Sequence, residues 1–135
     1  MTLIISGTNR PNSNTYKLAK YYQKTLTDKG LATDFLSLSD LPETLITSDL
    51  YGQRSEAFQK IQDRITKAQK FLFVIPEYNG SFPGILKLLI DACKFPDSFS
   101  DKKVALVETN GASGPMWNPV PIQVFFISKI AFGMP

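Results

Sequence analysis

The sequence contains no histidine and only one cysteine, Cys93. Without histidine, Ser-His-Asp and Cys-His catalysis and the usual zinc sites are excluded. A lone cysteine permits no intrachain disulfide. It lies in the apolar run "LKLLIDACKF", where a buried thiol is expected and an intracellular location is the default. No apolar run reaches membrane-spanning length and no basic-then-apolar leader opens the chain, so a cytoplasmic protein with no membrane partner is expected. A basic stripe is also missing. Lys17, Lys20, Lys24, Lys60, Lys67, Lys70, Lys87, Lys94, Lys102 and Lys103 are scattered, so the net charge of +3 reads as solvated helix faces and not as a nucleic-acid surface. Any chemistry therefore falls to a carboxylate, lysine, tyrosine or hydroxyl, or to a bound cofactor.

What is present is ordinary globular composition, with 43% hydrophobic and 20% charged residues in a chain of 135. That is enough to bury a core and too short for two, so residues 1–135 are expected to form a single unit. "TLIIS" at 2–6 reads as a buried strand ended by Ser6-Gly7. Residues 14–29 read as a helix, with Leu18, Tyr22 and Leu26 on one stripe and Gly30 at the left-handed position past its end. "ATDFLSLSDL" reads as a strand-like stretch stopping before Pro42, and a looser connection follows. Residues 54–69 read as an amphipathic helix carrying Phe58, Ile61, Ile65 and Ala68. The run Phe71 to Ile75 is apolar on both faces, as a central parallel strand requires. A third helix is expected from Pro83 to about Lys94, with Ile85, Leu86, Leu88, Leu89 and Ile90 around most of its circumference, and "KKVALVET" reads as a fourth strand. The order β-α-β-α-β-α-β predicts a three-layer α/β sandwich around a parallel sheet.

In such sheets ligands bind beyond the carboxyl ends of the strands, which directs attention to residues 7–14, 76–82 and 109–115. The first loop, "GTNRPNSNT", lacks both G-x-G-x-x-G and the phosphate-loop spacing of nucleoside triphosphatases. It offers the Thr8, Ser13 and Thr15 hydroxyls, the Asn9, Asn12 and Asn14 amides, the Arg10 guanidinium and the free N–H groups of a helix start. These suit a terminal phosphate. Equally, Ser13 or Asn14 would serve as a plain helix cap with Arg10 in water. The second loop, "PEYNGSFPG", adds the turn pair Asn79-Gly80 and the rings of Tyr78 and Phe82, with glycine permitting close approach of a flat ligand. Glu77 and Asp91 could be read as a general acid/base pair, but Glu77 reads better as a loop-shaping residue and Asp91 as a helix-surface or interface charge.

"GTNRPNSNT" resembles the signature G-S-x-R-x-x-S-x-N, and "PEYNGSFPGILKLLID" resembles P-E-Y-N-x-S-x-P-G-x-L-K-N-x-I-D, both of the NADPH-dependent FMN reductases; the resemblance covers about residues 1–110. It implies a flavodoxin-like fold and bound FMN. It also implies that NADPH or NADH passes hydride to the flavin, which then reduces free flavin, a quinone, an azo dye or a similar acceptor. Under it Thr8, Arg10, Ser13 and Thr15, with Asn14 close by, hold the FMN phosphate. Pro76, Glu77, Tyr78, Asn79 and Gly80 lie along the isoalloxazine ring, and Asn110, Gly111, Ala112 and Ser113 approach its pyrimidine end, with backbone N–H groups of 111–114 favouring the reduced form. Family members are dimers or tetramers, so a homo-oligomer is expected.

After residue 111 the resemblance stops. "GPMWNPVPIQVFFISKIAFGMP" carries Pro115, Pro119 and Pro121 where relatives place a helix, and "IQVFFISKIAF" reads as one strand. An atypical or truncated C-terminal part is expected. Two other functions fit the residues: an electron carrier that binds FMN without oxidising nicotinamide, and an inactive relative with little flavin affinity. Carriers are usually acidic, whereas this chain has a pI near 9.0.

Overall fold

The structure is a computed structural model and describes residues 1–51 and 53–109. Four strands, β1 (Thr2–Ser6), β2 (Thr33–Ser37), β3 (Lys70–Pro76) and β4 (Lys103–Thr109), form a wholly parallel sheet in the order β2-β1-β3-β4. Three helices connect them: α1 (Asn14–Asp28), α2 (Glu56–Lys67) and α3 (Gly84–Ala92). The register pairs Ser6 with both Ser37 and Val74, and Pro76 with Thr109. All four strands thus end at one edge. The chain leaves β1 first to one side and later to the other, so the crevice between β1 and β3 is the switch point where open α/β sheets bind ligands.

Residue alternation on the strands sorts the core into two layers. Ile4, Leu72 and Val74 face α1, which covers them with Ala19, Leu18, Tyr22 and Leu26. Leu3, Ile5, Phe71, Phe73 and Ile75 face the other way, onto Phe58, Ile61 and Ile65 of α2 and Leu86 and Leu89 of α3. Burying each of these large side chains contributes about 1.5–3 kcal/mol, which gives the sheet its hold on α2 and α3. The three layers and the parallel sheet are those expected. Gly30, at φ +77°, closes α1 as the left-handed residue its position called for.

The differences lie at element ends. β2 stops at Ser37 and does not run to Leu41. The Ser37 hydroxyl accepts the Ser39 N–H at 3.2 Å and turns Leu38–Asp40 into a short 3-10 helix, so Leu38 is buried by a turn and not by a pleat. The connection read as loose holds a second such turn, Glu43–Leu45. Ser55 caps α2 by accepting the Phe58 N–H at 3.1 Å, and Pro83 stands just before α3 and not inside its first turn. Arg64 of α2 grips Asp34 of β2 with two 2.8 Å hydrogen bonds, tying helix to sheet edge; its guanidinium holds the Asp34 carboxyl below the usual range.

Cys93 is buried as expected, and burial pushes its thiol up to about 12. At pH 8 that leaves roughly a thousandth of the thiolate a free cysteine would carry. A disulfide reagent such as DTNB should therefore label the native protein at least a hundred times more slowly than the urea-unfolded chain; equal rates would mean that the site is open. Among the described residues no helix is long and apolar enough to cross a membrane.

Candidate functional site

The first wall of the site begins at Gly7, immediately past β1. Its N–H donates to the Val74 carbonyl at 2.8 Å, and a Cβ there would lie 3.0 Å from that oxygen and 3.1 Å from Ile75 Cγ1. A glycine lets the chain leave β1 this close to β3 without displacing Val74 or Ile75. The loop then turns through Asn12, at φ +53°, a conformation that asparagine tolerates better than most residues. Ser13 caps α1 by accepting the Tyr16 N–H at 3.1 Å. The N–H groups of Asn14 and Thr15, in the first turn, have no hydrogen-bond partner among the described residues. They are unpaired donors at the positive end of a 15-residue helix.

The second wall is a tight hairpin leaving β3. Tyr78 and Ser81 exchange backbone hydrogen bonds of 2.7 and 3.1 Å around Asn79 (φ +53°) and Gly80 (φ +78°), both in the left-handed region that a type I′ turn demands. The Glu77 carboxylate accepts the Gly80 N–H from within the same turn, and the Glu77 N–H donates to the Thr109 carbonyl at 2.9 Å. Glu77 is thus the loop-shaping residue its position suggested, and Asp91 is a surface charge paired with Lys87 at 2.6 Å.

Between the walls lies a cleft of about 480 Å³. Arg10, Pro11, Asn12, Ser13, Asn14 and Thr15 line one side of it, and Pro76, Glu77, Tyr78 and Thr109 line the other. Two side-chain bonds fasten the walls together: Thr8 Oγ1 to the Tyr78 hydroxyl at 2.9 Å, and Thr15 Oγ1 to Thr109 Oγ1 at 2.9 Å. Thr8 also accepts the Arg10 N–H at 3.1 Å. The Arg10 side chain is exposed and forms no ion pair with any described residue. One wall of the cleft therefore presents a guanidinium and two N–H groups without partners among the described residues, and the other presents a proline and a tyrosine ring.

Of the expected site residues, Arg10, Ser13, Asn14, Thr15, Pro76, Glu77 and Tyr78 line this cleft. Thr8 lies buried, with its hydroxyl occupied by Tyr78 and Arg10. Asn79 and Gly80 form the turn's tip and do not line the cleft. Asn110, Gly111, Ala112 and Ser113 lie outside the described residues, as does the expected strand after residue 121. Asn9 turns away into a second cleft of about 300 Å³, beside the Leu38–Asp40 and Glu43–Leu45 turns.

Thr109, which ends β4 and lines the cleft, opens the third loop, 109–115, that the strand-end rule singles out, but it is not among the expected site residues. Sequence reasoning also missed its neighbour Glu108. Glu108 gives no local signal. One of its carboxylate oxygens is buried without a hydrogen-bond partner among the described residues, and burial, reinforced by the charge of Glu77, raises its pKa.

Residues 1–118 match the family described as NADPH-dependent FMN reductase. A quinone reductase of Pseudomonas putida is 33% identical over 116 residues, covering 82% of this chain and 61% of its own length. An FMN-dependent NADPH-azoreductase of Staphylococcus aureus is 32% identical over 113 residues, covering 81% of this chain and 60% of its own. The chain thus spans about six-tenths of the length of these relatives. In structure, an oxidoreductase from Corynebacterium diphtheriae superimposes with a TM-score of 0.77 at 16% identity, covering 97% of this chain and 75% of that one.

Proposed function

The chain belongs to the NADPH-dependent FMN reductase family, and on that premise we propose that it is an FMN-dependent NAD(P)H oxidoreductase, taking hydride from NADPH or NADH and passing electrons to flavin, quinone, azo or similar acceptors. The observation that carries this reading is the cleft at the switch point, with its two unlike walls. Its volume falls inside the roughly 300–1,000 Å³ of small-molecule sites. The donors of one wall suit a phosphate, and the proline and tyrosine of the other suit a flat ring.

In this reading the unpaired Asn14 and Thr15 N–H groups and the Arg10 guanidinium take the phosphate, and Ser13 holds the first turn of α1 in shape through its cap. Thr8 acts through Tyr78, fixing the tyrosine's height above the loop, while Pro76, Glu77 and the Asn79-Gly80 turn give the ring its platform. Asn110 to Ser113 are assigned to the pyrimidine end by motif alone. The bound flavin would supply the hydride-accepting chemistry, so the chain needs no histidine, and its own task is placement and charge.

The proposal includes a homo-oligomer, dimer or tetramer, in the cytoplasm: Ile85, Leu88 and Ile90 of α3 are only half-buried in the single chain. Light scattering at micromolar concentration tests this part.

The activity is tested by adding FMN and then NADPH or NADH without oxygen. Quenched flavin fluorescence followed by bleaching of the oxidised-flavin band is expected. Quenching without bleaching would favour the electron carrier, and no quenching the inactive relative.

A further inference from the structure

The second cleft and the first are lined by neighbouring residues of one loop: Asn9 lines the second and Arg10 the proposed flavin site. The floor of the second is apolar, made by Leu41 and the buried Leu45, with Ile85 of α3 as a side wall. Its polar groups are the Asn9 amide, the Ser39 hydroxyl and the Glu43 carboxylate, all at exposed positions. Glu43 pairs with no described residue. Among the described residues no lysine or arginine lines the cleft, and the other charge on these turns, Asp40, is also negative. Arg64, which feels the charge of Asp40, is already committed to Asp34.

We propose that this cleft receives the adenosine end of the nicotinamide dinucleotide and that Glu43 is the specificity-determining residue, selecting NADH over NADPH. This rests on the oxidoreductase reading above and narrows it. An apolar floor suits a purine face, and a carboxylate at the rim accepts hydrogen bonds from a ribose diol. The same carboxylate repels a 2′-phosphate, which elsewhere is accommodated by an arginine; none of the described residues lining this cleft is one. Rejection of NADPH thus comes from the Glu43 charge, with no positive charge among the described lining residues to offset it.

The test is calorimetric titration of the full chain, in saturating FMN, with ADP-ribose and with 2′-phospho-ADP-ribose. ADP-ribose should bind at least tenfold more tightly. Glu43→Gln should cut that ratio at least fivefold and Glu43→Arg should invert it, while neither changes FMN affinity, because Glu43 lies in the other cleft. Equal binding of the two probes by the wild-type chain, preference for the phosphorylated one, or a ratio unmoved by Glu43→Gln would overturn the assignment. FMN quenching is measured separately: failure to bind FMN would sink the oxidoreductase reading alone, and FMN binding without ADP-ribose discrimination would sink this one alone.

Discussion

Replacing Asp49 by alanine should lower the unfolding free energy by about 2–4 kcal/mol, one of the largest losses open to a polar residue of this chain. Asp49 is 1% exposed. One of its oxygens accepts the Ser55 N–H at 2.5 Å, and the other accepts the Thr44 hydroxyl at 2.7 Å and the Ser55 hydroxyl at 3.2 Å. Ser55 in turn caps α2, so one carboxylate joins the Glu43–Leu45 turn to the helix that covers the sheet. Alanine removes every bond at once and leaves a void. Urea titration should show a lower midpoint with an unchanged slope.

The effect has a pH signature. Burial alone would raise the Asp49 pKa, but the bonds from Ser55 and Thr44 outweigh it and the net direction is down. A carboxyl whose folded pKa is depressed stabilises the protein above its ordinary value, near 4, and loses that contribution as the pH falls through the folded value. The gap between wild type and Asp49→Ala should therefore narrow below about pH 4. A gap as wide at pH 3 as at pH 7 would show that packing, not charge, sets it. Asp34 shares the sign of Asp49. Glu108 has the opposite sign: its raised pKa favours the folded state at low pH, and that contribution fades as the pH rises past the ordinary glutamate range.

Much of this architecture can be read from the chain because burial imposes a period on it. Phe58, Ile61 and Ile65 repeat at helical spacing and all meet the sheet; Phe71 to Ile75 are apolar on both faces because helices cover both. The misreading of β2 has an equally physical origin. Leu36 and Leu38 alternate with serines as a strand would, but the Ser37 hydroxyl offers the Ser39 N–H a local partner and the chain turns instead. A pattern of polar and apolar residues cannot register that competition.

Candidate site residues divide in the same way. Those on the two motif loops are visible because turn chemistry restricts which residues can stand there. Gly7 is different, since its requirement comes from Val74 across the sheet. The second cleft was invisible for a related reason: Asn9, Ser39, Glu43 and Ile85 come from four separate segments and meet only through packing.

Arg10→Ala should weaken FMN binding roughly ten- to 150-fold, equivalent to about 1.5–3 kcal/mol for one charge-assisted contact. The substitution is a clean one. The backbone N–H of Arg10 is what holds Thr8, and alanine keeps that bond, so the loop and its link to Tyr78 stay in place. The guanidinium itself is exposed and unpaired among the described residues, so its loss should leave the urea midpoint unchanged. Lysine at the same position should recover part of the affinity, because it restores the charge without the planar fork. Raising salt should weaken the wild-type protein more than Arg10→Ala, since only the former has the full charge to screen. Fluorescence titration of FMN at two ionic strengths reads all of these quantities. If the three proteins bind alike, the guanidinium lies outside the phosphate contact, and the hold on the anion must come from the Asn14 and Thr15 N–H groups alone.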